Sequence, residues 1–182
     1  MSKAIGMVEY QTVSTGIYAA DTMVKTADVD IIEAQTVCPG KYIVIITGEL
    51  SAVRAAVDAS KTKFEGKLID SFVLGNPHES IFPAIYGATD IKDVEALGVL
   101  ETYSAASIIV AADVAAKTAM VDLIELRIAK GMCGKSYMLI TGSVASVTAA
   151  IEKTKDQIAD DGFFLDSSVI ARPDEKVWQT LL

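Results

Sequence analysis

The chain of 182 residues contains only two cysteines, one histidine and one tryptophan, and it lacks any long apolar segment. Two cysteines are too few for the disulfide framework of a small secreted domain. No segment approaches the roughly 18–20 uncharged apolar residues that a membrane-spanning helix requires. The N-terminal residues also lack the apolar centre and cleavage site of a signal peptide. We therefore expect a cytosolic protein with no membrane partner, whose cysteines are free thiols or metal ligands.

Basic residues are also scarce. The chain has 16 Lys and Arg against 24 Asp and Glu, giving a net charge of −8. Because phosphate neutralisation by Lys and Arg supplies most nucleic-acid affinity, we expect no nucleic-acid partner. Dinucleotide-binding and Walker loops are missing, and one histidine without a G-x-S-x-G elbow does not suggest a serine nucleophile. The sequence thus predicts a protein that is not an enzyme.

Apolar residues are abundant instead, at 51% of the chain with a mean hydropathy of +0.38. The sequence also contains an internal repeat, whose similar segments are spaced 92 to 96 positions apart. They are AIGMVEY (4–10) with ALGVLETY (96–103), AADTMVKTADVDII (19–32) with AADVAAKTAMVDLI (111–124), GKYIVIITG (40–48) with GKSYMLITG (134–142), and VLGNPHESI (73–81) with VIARPDEKV (169–177). We predict two tandem domains, residues 1–90 and 91–182, with the excess apolar surface serving subunit contacts.

Each copy has the pattern of strand, helix, strand, strand, helix, strand and short helix. This order predicts an α+β fold, a ferredoxin-like variant with helices flanking a mostly antiparallel four-stranded sheet. In the first copy we expect Ser14 or Thr15 to cap the first helix and Gly66 to end the second. Asn76 is expected to cap the short final helix.

One cysteine lies in a Cys38-Pro39-Gly40 turn between two β-rich segments. Proline restricts Cys38 to extended geometry, and Gly40 permits a close approach of neighbouring backbone. From the residues alone, Cys38 is either a small buried side chain, a nucleophile or one ligand of several. Cys133 aligns with Pro39 rather than with Cys38, and we assign it no role.

Taken together, these motifs resemble the tandem-domain (BMC-T) shell proteins of bacterial microcompartments over essentially the whole chain. The segments AIGMVEY, AADTMVKTADVD, GK-strand-TG and V-I-x-R-P (169–173) carry the resemblance. Within this family, the Cys38-Pro39-Gly40-Lys41 turn resembles that of the PduT-type iron–sulfur shell proteins of propanediol-utilisation microcompartments.

The resemblance implies a flat homotrimer whose six BMC domains form a pseudohexamer, which tiles with other shell proteins in a cytoplasmic microcompartment. It implies two groups of site residues, one around a central pore and one at the edge of the tile. The pore group is Cys38, Pro39, Gly40, Met132, Cys133 and Gly134, and the edge group is Lys25, Lys117 and Arg172. The first copy departs from the edge pattern, since Asn76 precedes Pro77. Both lysines could equally be ordinary exposed helix residues.

The resemblance further implies a [4Fe–4S] cluster as cofactor. Such clusters are held chiefly by several thiolates, so one Cys38 per chain suffices only if a three-fold axis brings three copies together. The expected role is electron transport, or cluster exchange, across the shell, with an encapsulated redox enzyme as a possible partner. Two alternatives stay open: a shell protein with an open metabolite pore and no cluster, and a soluble metabolite-binding regulatory protein with duplicated α+β domains.

Overall fold

The computed structural model describes residues 4–91, 94–159 and 162–181. The first repeat contains β1 (Ala4–Tyr10), α1 (Val13–Thr26), β2 (Val29–Val37), β3 (Lys41–Gly48), α2 (Leu50–Lys63), β4 (Leu68–Leu74) and α3 (Ile81–Ile85). The second contains β5 (Ala96–Thr102), α4 (Ala105–Thr118), β6 (Val121–Arg127), β7 (Ser136–Gly142), α5 (Val144–Ile158), β8 (Phe164–Ala171) and α6 (Glu175–Trp178). The predicted order of elements is confirmed in both repeats.

Each repeat forms one four-stranded sheet, ordered β2-β3-β1-β4 in the first and β6-β7-β5-β8 in the second. Neighbouring strands pair antiparallel, for example β1 with both β3 and β4. Even the irregularities recur: β1 shifts register at Glu9/Tyr10 against β4, and β5 shifts at Glu101/Thr102 against β8. The predicted fold class is therefore confirmed.

The first repeat packs α1 and α2 against its sheet, with every residue of β1 buried. Glycine permits this packing where a helix approaches closely. A Cβ on Gly6 would lie 2.6 Å from Val53 Cγ1, and its repeat counterpart Gly98 would place one 2.7 Å from Val147 Cγ1. These distances are well below normal van der Waals contact, so both repeats depend on small residues to seat a helix.

Gly16 in α1 provides a test of this packing. Alanine is the better helix former by about 1 kcal/mol, so propensity alone predicts that Gly16→Ala stabilises the protein. However, the new Cβ would lie 2.4 Å from Tyr42 Cβ, which sits next to the backbone and cannot swing away. We expect a net loss of about 1–3 kcal/mol in unfolding free energy, measured by urea titration.

The matched control for that test is Gly66→Ala, because a Cβ there meets no atom of the described residues within 4 Å. We expect the control to change the unfolding free energy by less than about 0.5 kcal/mol. A stabilised Gly16→Ala protein would contradict the packing explanation.

Three predicted helix boundaries are wrong. α1 begins at Val13 with Thr12 in the N-cap position, because the extended backbone of Thr12 leaves Ser14 and Thr15 inside the first turn. α2 ends at Lys63, since a separate 3₁₀ turn over Glu65–Lys67 contains Gly66. α3 starts at Ile81 rather than after Asn76. Asp113 accepts the backbone amide of His78 at 2.8 Å, so this segment is held by a side chain from another element instead of by helical bonds.

The chain packs into two compact units that do not coincide with the repeats. The first unit contains the residues up to Pro77 together with Ser104–Val110 and Ile128–Ser136. The second contains the stretches from His78 to Tyr103, from Ala111 to Arg127 and from Tyr137 onward. The first unit thus includes the start of α4 and the loop between β6 and β7. The domain boundary at residue 90 stays a prediction.

No helix within the described parts of the chain has both the length and the apolar character needed to cross a bilayer.

Candidate functional site

The Cys38 turn joins β2 to β3, at the point where the strand pairing ends at Val37 and Lys41. Gly40 N donates to Val37 O at 2.9 Å and closes the turn. Gly40 has a φ of +99°, a conformation that glycine adopts without steric strain. The Cys38–Pro39 peptide bond is cis, and the Cys38 side chain is half-buried. The turn is therefore tightly defined and leaves its thiol partly accessible.

The loop between β6 and β7 supports this turn within the same compact unit. Cys38 N donates to Ala129 O at 3.0 Å, and Ala129 N in turn donates to Ser136 Oγ at 3.0 Å. Gly134 lies so close that a Cβ there would be 3.1 Å from Cys38 O. The backbone of Cys38 is thus fixed from outside its own hairpin.

A recess of about 430 Å³ opens beside the thiol. Its wall consists of Thr36, Val37, Cys38, Pro39, Gly40, Lys130 and Gly131. Lys130 Nζ pairs with Glu33 Oε1 at 3.1 Å, while Glu33 Oε2 is buried and has no hydrogen-bond partner among the described residues. The recess therefore combines a thiol with a cation held at its rim.

Behind the turn lies a buried ion pair. Lys41 Nζ is 2.8 Å from Glu9 Oε1, and the Glu9 side chain is completely buried. Glu9 Oε2 accepts the backbone amide of Ala105, the first residue of α4, at 2.9 Å. One carboxylate therefore anchors the lysine that follows the turn and also satisfies a free amide at a helix N-terminus.

A second carboxylate binds the same helix start. Asp70 Oδ2 accepts hydrogen bonds from the hydroxyls of Ser104 and Ser107, the latter at 2.8 Å. Ser107 N donates to Ser104 Oγ at 2.9 Å, so Ser104 caps α4 directly. We call Glu9 and Asp70 the acidic pair. The sequence analysis did not predict that these two carboxylates bind a helix start. A signal was available, because a glutamate recurs in the apolar strand of both repeats, as Glu9 and Glu101.

The six predicted pore residues lie in two loops of one compact unit. Cys133 is exposed with a φ of +52°, and Lys135 N donates to Met132 O at 3.1 Å within that loop. The described residues contain no group of three or more His, Cys, Asp or Glu side chains that could hold a metal. The chain has two cysteines, so a cluster with three or more thiolate ligands requires more than one copy.

The predicted edge residues occupy repeated positions. Lys25 pairs with Asp21, and Lys117 pairs with Asp113, both at 2.7 Å and one helical turn apart. Arg172 has a φ of +51°, and its backbone amide donates to Glu95 O at 2.8 Å. The structure thus gives both lysines a local partner, and their role at a tile edge stays a prediction.

Comparisons with known proteins agree with this architecture. The BMC domain family matches residues 4–77 and 96–173. Among curated proteins, the chain is 36% identical over 182 residues to the bacterial microcompartment shell protein PduT of Citrobacter freundii, covering all of this chain and 99% of that protein. A carboxysome shell protein, CcmK2 of Thermosynechococcus vestitus, is 32% identical over 85 residues, covering 44% of this chain and 83% of that protein.

Solved structures show the same relationship. A microcompartment protein from Desulfitobacterium hafniense superposes with a TM-score of 0.87 at 44% identity, covering 98% of this chain and 99% of that one. A fused permuted hexameric shell protein from the RMM microcompartment has a TM-score of 0.68 at 24% identity, over 87% and 84% of the two chains, and shows the shared fold alone.

Two sheets of identical order, each from one repeat and each matched by the same domain family, define a tandem-domain protein. The chain belongs to the BMC family of microcompartment shell proteins, and within that family it is PduT-like.

Proposed function

We propose that three copies of this chain close into a ring in a microcompartment shell and hold one [4Fe–4S] cluster through their Cys38 thiolates. One observation carries the proposal: a half-buried thiol in a defined turn borders an open recess, in a chain similar to PduT along its full length. Thiolate sulfur is the usual ligand of iron–sulfur clusters. A three-fold axis supplies the sulfurs that one chain lacks.

The residues around Cys38 suit such a ligand. Three Cys38 thiolates would hold three of the four irons, and the fourth would take solvent or another molecule as its ligand. When bound, the cluster supplies one-electron chemistry. This chain's own part is to fix the Cys38 backbone through Ala129 and to leave the sulfur side open to the recess.

The proposed setting is the cytoplasmic shell of a microcompartment, where the ring tiles with other shell proteins. Membership of the family indicates a structural role rather than a catalytic one. Lys25, Lys117 and Arg172 are the proposed contacts at the tile edge, and Cys38, Pro39, Gly40, Met132, Cys133 and Gly134 are the proposed pore lining. An enclosed redox enzyme would be the partner that exchanges electrons, or the cluster itself, with the ring.

Anaerobic purification tests this proposal. We expect a brown protein with a charge-transfer absorption band, roughly four irons for every three chains, and a sedimentation coefficient of a trimer. An iron-free trimer after anaerobic reconstitution would instead favour the open metabolite pore. A monomer or dimer that binds a small metabolite and never forms sheets would favour the regulatory binding protein.

A further inference from the structure

We propose that Glu101 and Asp166 bind the start of α1 in a second copy of this chain, forming a carboxylate clamp between neighbouring subunits. This inference deepens the proposed ring by naming the contact that would close it. It rests on a pairing that the chain already makes internally, between the acidic pair Glu9 and Asp70 and the start of α4.

Both halves of that pairing recur in the other repeat. Glu101 and Asp166 occupy the positions of Glu9 and Asp70, on β5 and β8 respectively, and these strands pair in the same register as β1 and β4. Asp70 Oδ1 accepts the amide of Ser71 at 2.7 Å, and Asp166 Oδ1 accepts that of Ser167 at 2.8 Å. The second acidic pair is therefore oriented by the same local bond.

The helix start recurs as well. Thr12 and Thr15 stand where Ser104 and Ser107 stand in the other repeat, 92 positions later. Thr12 Oγ1 lies 2.9 Å from Thr15 Oγ1, just as Ser104 Oγ lies 3.1 Å from Ser107 Oγ. The N-cap side chain of α1 makes no hydrogen bond to its own helix backbone. The start of α1 thus has the hydroxyls of a clamp, but no carboxylate from the part of the chain that the structure describes binds them.

The N-cap residues of the two helices differ in burial, since Ser104 is buried whereas Thr12 is exposed. The second hydroxyls, on Thr15 and Ser107, are buried alike at 6% exposure. One turn further along, Ile109 is fully buried, whereas its counterpart Ile17 is 55% exposed. The adjacent Tyr18 is 53% exposed as well, and neighbouring large apolar side chains facing water beside a helix N-terminus indicate a surface that a partner covers.

The acidic side shows the same asymmetry. Glu9 is fully buried, whereas Glu101 is only half-buried. Every residue of β4 is half-buried, whereas β8 is largely exposed and presents Ile170 with 41% of its surface to solvent. Each uncovered surface in one repeat therefore corresponds to a covered surface in the other.

A second copy of the chain is the partner that fits both surfaces. The helix start adjoins a recess of about 650 Å³ whose charged lining residues are Lys63, Lys67 and Glu65, so an excess of one positive charge adds to the attraction of the helix dipole for anions. The matching surface carries two carboxylates. Because the two surfaces differ, the contact is head-to-tail and can close a ring.

The test uses iron-free full-length protein, so it does not depend on the cluster. We expect the Glu101→Gln/Asp166→Asn double variant to raise the subunit dissociation constant at least about tenfold in sedimentation velocity. The matched control is Asp122→Asn/Glu152→Gln, which removes the same two negative charges at exposed positions. The equivalent residues of the first repeat, Asp30 and Asp58, are exposed too, so neither repeat buries these positions. The control should assemble like the unmodified protein.

A variant on the helix side separates assembly from folding. Thr12→Asp places a favoured N-cap residue on α1, so the isolated subunit should unfold at an equal or higher urea concentration. The added carboxylate would face Glu101 and Asp166 of the neighbour, so assembly should again weaken at least about tenfold by like-charge repulsion.

Mixing the two variants gives a further readout. The Thr12→Asp chain keeps Glu101 and Asp166, and the double variant keeps an unmodified start of α1. Only the contact between these two surfaces stays intact in a mixture. Mixtures should therefore form heterodimers but no closed ring. Unchanged assembly of both variants would overturn the clamp. A trimer that depends on the clamp yet never binds iron would leave the clamp standing and overturn the proposed cluster alone.

Discussion

Replacing Cys38 with serine is expected to remove essentially all protein-bound iron while leaving the ring assembled. Serine exchanges one atom, and the contact that fixes the turn, Cys38 N to Ala129 O, belongs to the backbone and persists. Iron–sulfur clusters are held by thiolates, and a hydroxyl does not replace them at neutral pH. The measurements are iron per chain, the visible absorption spectrum and the sedimentation coefficient of anaerobically prepared protein.

The control for this substitution is Cys133→Ser, in the loop that supports the turn. Cys133 is exposed and is proposed to line the pore but not to bind the cluster, so the variant should keep the iron content and spectrum of the unmodified protein. If Cys38→Ser retained its iron, Cys38 could not be the ligand. Loss of iron only in Cys133→Ser would move the ligand to the second loop.

The second large effect concerns stability. Glu9→Ala is expected to lower the unfolding free energy by about 3–5 kcal/mol, because it leaves Lys41 without its countercharge in a largely buried site. It also removes the acceptor of the Ala105 amide at the start of α4. Glu9→Gln should lose less, since an amide oxygen can still accept that bond. Urea denaturation at protein concentrations below assembly provides the measurement.

A double variant separates two contributions to the lost stability: the unpaired charge and the cavity that the smaller side chain leaves. Glu9→Ala/Lys41→Met removes both charges, so it should recover a substantial part of the stability lost by Glu9→Ala alone. Exposed Glu152 provides a comparison, and Glu152→Ala should change the unfolding free energy by less than about 0.5 kcal/mol. If Glu9→Ala were equally mild, the buried pair would not support the turn.

Local patterns predicted the order of elements because both repeats alternate between strand and helix periodicity. The strand AIGMVEY and the segment KYIVIITG form β1 and β3 as expected. Helix boundaries were less predictable, because several residues near each end can serve as caps. Thr12 occupies the N-cap position of α1 because its backbone is extended. The backbone amide of His78 donates to Asp113 from another element, rather than to a helix cap at Asn76.

The surroundings of Cys38 show where the local patterns stop being informative. Its place in a turn between two strands follows from Pro39 and Gly40. The bond to Ala129 and the closeness of Gly134 join residues almost a hundred positions apart, and no spacing in the sequence indicates them. The contacts of the Glu9 carboxylate could not be predicted from the sequence either, because its partners Lys41 and Ala105 come from distant elements.

The sequence by itself determined that this protein is duplicated, that each copy forms an α+β layer, and that Cys38 occupies a turn between two strands. These features follow from short-range periodicity, which a linear pattern contains. Only the tertiary structure decided which copy of each repeated surface is covered and which is open. The reason is physical: burial depends on what packs against a residue, and repeats of similar sequence acquire different neighbours once the chain folds.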